Sequence, residues 1–98
     1  MTDAPEWTYD EGVSRLETEH AEAEVWRSGH GCGWTFDLDV DLPARDGMPA
    51  LSLISFQPVE EIEGGDVVWY ATEREAQRMA ERVLRRVEGW ATGREETI

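Results

Sequence analysis

The sequence predicts an α+β fold: an antiparallel meander of three to four strands, with one C-terminal amphipathic helix packed on one face. Three observations carry this. From Trp34 to Leu42, apolar residues alternate with Thr35, Asp37, Asp39 and Asp41, the pattern of a half-buried strand. The glycine-rich stretch Ser28-Gly29-His30-Gly31-Cys32-Gly33 joins that run to an earlier alternating one, as a hairpin turn does. After Thr72 the apolar period changes from two residues to three or four, as a helix requires.

The elements follow in order. Residues 1–12 read as an entry segment that Trp7 and Tyr9 dock onto the core. Between Leu16 and Arg27 two periods compete. Ala21, Ala23 and Val25 alternate with Glu22, Glu24 and Trp26 as in a strand, whereas Val13, Leu16 and His20 are spaced as in a helix. The glycine turn that follows favours a strand for the second half. Pro43 to Pro49 is a turn containing Asp46-Gly47. Ala50 to Gln57 reads as a third strand, apolar on both faces and therefore expected to be central or covered on both sides. Asp66 to Ala71 reads as a short fourth strand. Thr72 and Glu75 form a capping box before a stripe of Ala76, Ala80, Val83, Val87 and Trp90, with Gly89 as the expected stop. Residues 91–98 read as a flexible tail.

The chain of 98 residues is expected to form one domain, 1–98. It carries 22 acids against nine arginines, a net charge of −13, with no lysine and no asparagine. Five tryptophans distinguish it from an acidic disordered tail. Phosphate repels such a chain, which argues against broad contact with nucleic acid or anionic membrane, whereas a basic protein surface attracts it. One cysteine, Cys32, permits no internal disulfide. No apolar run approaches the ~20 residues of a membrane span, and none opens the chain, so a cytoplasmic location is expected.

The charge is unevenly placed. Residues 1–66 hold 16 acids and three arginines, whereas residues 67–98 hold six of each. Asp37, Asp39 and Asp41 project from one face of their strand at steps of ~6.7 Å, close to the phosphate repeat of a nucleic-acid strand. Glu22 and Glu24 on the paired strand supply a second row. The plain alternative is the wet face of a half-buried strand. Against it, aspartate is a poor strand former and like charges in line repel, so serine or threonine would suit that task better. Trp26 lies on the same face and is a candidate anchor for a partner.

Other constellations are weaker. The three aspartates diverge on a flat strand face, whereas a calcium site needs six to eight converging oxygens. His30 and Cys32, with His20, include metal-ligand types, but a structural zinc needs four ligands. Arg74, Arg78, Arg82, Arg85 and Arg86 intersperse with glutamates at helical spacing, as surface ion pairs do.

In its small size, acidity and Asp37/Asp39/Asp41 array, the chain resembles small phage-type inhibitors, the anti-CRISPR and anti-restriction proteins that mimic DNA. The resemblance carries no motif and transfers no residue role. The neutral, arginine-rich helix departs from it and confines any mimicry to one side. The expected function is thus that of a non-catalytic acidic binding protein without a cofactor, an inhibitor that blocks a basic nucleic-acid-binding complex. Two alternatives stand beside it. One is a housekeeping interaction domain of a salt-adapted or GC-rich organism. The other is a small metal- or thiol-dependent protein using His30 and Cys32. No acid–base pair or phosphate loop supports catalysis.

Overall fold

The computed structural model describes residues 6–61 and 64–93. It shows five antiparallel strands followed by one helix: β1 (Thr8–Asp10), β2 (Val13–Glu17), β3 (Ala21–Arg27), β4 (Trp34–Leu42), β5 (Leu51–Phe56) and α1 (Glu73–Thr92). The strands lie in chain order, β1-β2-β3-β4-β5, as a simple meander. The α+β class is as expected, with one strand more. No helix among the described residues is long and apolar enough to cross a membrane.

The competition over residues 13–22 is resolved in favour of strands. Glu11 and Gly12 both adopt positive φ (47° and 81°), a two-residue turn that pairs Asp10 with Val13 and builds a hairpin inside the expected entry segment. The β3–β4 hairpin forms as read, with Arg27 opposite Trp34 and the Ser28 N–H donating to the Gly33 carbonyl. Gly33 has a specific role there. At φ 120° it lets Trp34 pair with Tyr70, and a Cβ at this position would lie 2.5 Å from the Tyr70 carbonyl oxygen.

Two strand expectations are corrected. Asp66 to Ala71 is not a strand but an irregular segment held by isolated bridges, Val59 to Val67 and Trp34 to Tyr70. β5 is neither central nor doubly covered. It is an edge strand, with Leu51, Ile54 and Phe56 exposed. A bulge interrupts its pairing between Leu38 and Val40, with Ser55 at φ 59°.

α1 begins as the capping box predicts. The Thr72 hydroxyl accepts from the Glu75 N–H, and the Glu75 carboxylate accepts from the Ala71 N–H. Its end differs. The helix continues through Gly89, and Gly93 in the left-handed region (φ 74°) closes it. Ala91 is therefore buried helix, not flexible tail, and residues 94–98 lie outside the described residues. The buried stripe is Ala76, Gln77, Ala80, Leu84, Val87 and Ala91, which turns Val83 to the flank and leaves Trp90 half exposed.

This stripe packs on Leu16, Ala21, Ala23, Val25, Phe36, Leu38 and Val40 to form the core. Alanines at Ala21, Ala23, Ala76 and Ala80 let helix and sheet approach closely. On the β1–β2 side polar contacts close the edge: the buried Gln77 amide donates to Ser14 Oγ (3.1 Å) and Tyr9 Oη (3.2 Å), and Trp7 Nε1 donates to Glu81 (2.7 Å). Replacing Thr72 with alanine removes the cap of the only helix among the described residues and should lower unfolding free energy by about 1 kcal/mol. Denaturant titration measures this, and an unchanged midpoint would show that the cap carries no stability.

Candidate functional site: the open acidic face of the sheet

Because α1 covers one face of the sheet, the residues alternating with the core necessarily lie on the other. That open face carries Glu17 and Arg15 from β2, Glu22 and Glu24 from β3, and Asp37, Asp39 and Asp41 from β4. The register brings the two rows together as the sequence suggests. Glu22 stands opposite Asp39 and Glu24 opposite Asp37, while Glu17 faces Glu22 on the other side. Three like-charged pairs thus sit directly across strands, an arrangement that weakens a sheet.

Compensation is sparse. Arg15 Nε lies 3.3 Å from the Glu24 carboxylate, and its terminal nitrogen 3.9 Å from Asp10. Asp37 accepts from the Gln57 amide (2.7 Å), and Asp39 accepts from the Ser55 N–H (2.9 Å). These two aspartates therefore also fasten β5 across its bulge, a role the strand pattern did not reveal. Among the described residues, Glu22 and Asp41 have no side-chain hydrogen bond or ion pair.

Trp26 lies on this face but does not stand free as an anchor. Its ring meets Trp69 edge-on at 5.5 Å, and its Nε1 is buried. Its cross-strand neighbour Thr35 is fully buried, so this end of the face is closed over. The charged surface is the remaining part, from Glu24 and Asp37 toward Asp41.

His30 and Cys32 are exposed in the β3–β4 turn, whereas His20 precedes β3. The seven-residue strand between them separates His20 from the pair by about 20 Å, so the three do not form one metal site. The one convergent donor group among the described residues is Glu19, His20 and Glu88, whose ligand atoms lie within 4.8 Å of one another. Both Glu88 oxygens are already engaged. Oε2 accepts from the Thr18 hydroxyl and the His20 N–H (2.7 Å), and Oε1 lies 2.6 Å from His20 Nδ1. The arrangement is a clamp that fixes the β2–β3 turn to α1.

No family model, no curated protein and no solved structure matches the chain. The geometry alone therefore defines the site. Its chemistry is that of a dense field of carboxylates on a rigid sheet.

Two predictions follow from this geometry. Glu22→Thr removes one member of two like-charged pairs and installs a better strand former. It should raise stability by some tenths of a kcal/mol, up to about 1 kcal/mol. A destabilised variant would show that Glu22 has a structural partner. The clamp gives the second. The hydrogen bond to Glu88 raises the His20 pKa above 6.5 against a smaller desolvation effect; the charges of Glu88 and Glu19 add to it, and Arg45 opposes it. Burial pushes Glu88 up, but its bonds from Thr18 and His20 outweigh this and hold it below 4.5. His20 thus contributes stability fully below pH 6.5, and this is lost as pH rises through its higher folded value. Glu88 contributes above pH 4.5, and its share is lost as pH falls through its lower folded value. The unfolding midpoint should decline as pH is raised from 6 toward 8, and Glu88→Gln should flatten that decline. An equal slope in both proteins would exclude the clamp as its source.

Proposed function

We propose that the chain is a non-catalytic binding protein whose open acidic face docks on a basic surface of a partner. In its concrete form it occupies a nucleic-acid-binding groove of a protein complex and blocks it, in the manner of an inhibitor that mimics nucleic acid. The observation that carries this reading is the register. Glu22 and Glu24 oppose Asp39 and Asp37, so like charges are aligned at a cost to the sheet that a merely wetted face would avoid.

The physics of such a site is specific. Each exposed carboxylate contributes little affinity alone, but their summed field steers a basic partner and speeds its encounter. The helix on the opposite face holds five arginines against four glutamates, so it adds no negative charge and the acidic field is directional. A phosphate-lined target is repelled by the same field.

A rival reading treats the acidity as solvation in a salt-adapted cytoplasm. It draws support from Asp37 and Asp39, which already serve the sheet by holding β5. Glu22 and Asp41 separate the two readings, since neither fastens the fold. A basic partner captured at low salt from lysate should bind with an affinity that falls steeply with ionic strength. The double variant Glu22→Gln, Asp41→Asn should weaken it roughly tenfold, with thermal stability retained. A salt-independent affinity, or one unchanged in the double variant, would remove the acidic face from the interface.

A further inference from the structure

The two edges of the sheet differ sharply. β1 is three residues long and ends in Asp10, features that discourage edge-to-edge pairing. β5 is twice that length and has no charged residue and no proline, although the chain carries −13. Leu51 is 45 % exposed, Ile54 70 % and Phe56 50 %. No strand or loop among the described residues pairs with the outer edge of β5.

The helix does not cover this edge either, because its backbone lies over β3 and β4 and makes no close approach to β5. An apolar groove of ≈ 360 Å³ is left between them, floored by Leu38, Val40 and Leu53 and walled by Phe56, Val87 and Trp90. Beside it, Met48 and Trp90 are also exposed. With Leu51, Ile54, Phe56 and Val59, these side chains offer on the order of 600 Å² per molecule, or about 1,200 Å² for a symmetric pair, the lower bound of a stable interface.

We infer that this edge is a self-association surface, at which β5 pairs antiparallel with β5 of a second copy about a two-fold axis. The pairing is centred on the regular half, Leu51–Leu53, since the bulge at Ile54 and Ser55 interrupts the ladder beyond it. Charge permits this occupant. The acidic rows nearest the axis are those of β4, and β5 with its copy separates them by three strand spacings, about 14 Å. That exceeds the Debye length of about 8 Å at physiological ionic strength, so β5 acts as an uncharged spacer between two strongly negative molecules. A two-fold pair also joins the grooves of both copies over one continuous sheet and satisfies both open edges at once.

This inference is independent of the proposed basic partner and has the opposite salt response. Sedimentation equilibrium from low micromolar to near-millimolar concentration should show a monomer–dimer equilibrium that tightens as salt rises. Leu51→Arg and Ile54→Lys, both at exposed positions, should each weaken it at least about tenfold without lowering the melting temperature. Hydrogen exchange of the full chain should show β5 amides gaining protection with concentration while β2 and β3 amides do not. A chain that stays monomeric throughout would overturn the inference. So would a dimer indifferent to both substitutions, or one whose β5 amides exchange independently of concentration.

Discussion

Among the described residues one helix has to serve five strands, and most of their arrangement follows from that mismatch. A helix is about 10 Å wide and neighbouring strands are spaced about 4.8 Å, so α1 covers two strands well. It sits on β3 and β4, where Ala21, Ala23, Val25, Phe36, Leu38 and Val40 meet Ala76, Ala80, Leu84 and Val87. The flanks need other solutions. On the β2 side, Trp7 and the bond from Gln77 to Ser14 complete the cover. On the β5 side nothing equivalent is present among the described residues, and apolar surface remains open.

The same arrangement explains where the charge resides. A carboxylate cannot be buried without a partner, so the acids of β3 and β4 must take the face that α1 leaves uncovered. Once there, strand pairing rather than choice of rotamer sets their spacing, and the sheet holds the field in a fixed plane. The helix holds five arginines against four glutamates, and three of those glutamates serve the fold instead of pairing along the helix: Glu75 accepts from the Ala71 N–H, Glu81 from Trp7, and Glu88 from Thr18 and the His20 N–H. Acidic composition is thereby turned into a surface with a direction.

Local patterns of two kinds are legible in the sequence. The alternation from Trp34 to Leu42 reported both a strand and its acidic face, and Thr72 with Glu75 reported the start of the helix. What escaped had a non-local or unusual cause. The β1–β2 turn uses Glu11 at positive φ, where asparagine or aspartate would have signalled it. The apolar faces of β5 suggested burial, yet their cover depends on how far the helix reaches, which no window of sequence contains. Val67 to Tyr70 is rich in strand-forming residues, but only isolated bridges form there. On the acidic face, the fastening role of Asp37 and Asp39 depends on a bulge and on partners 20 and 16 residues further along the chain.

Arg45 gives the architecture a further property. The last turn of α1 carries no basic side chain, and the Arg45 guanidinium, from the turn after β4, donates instead to the Ala91 carbonyl at 2.9 Å. It thereby places a cation at the negative end of the helix dipole. The turn that leads into β5 and the end of the helix consequently share one fastening. Fraying at either place deprives the other of its support, so this corner should open and close as one cooperative unit while the β2–β4 centre stays shut. The molecule therefore has a firm middle and a loosely latched corner, and that corner adjoins the open apolar groove.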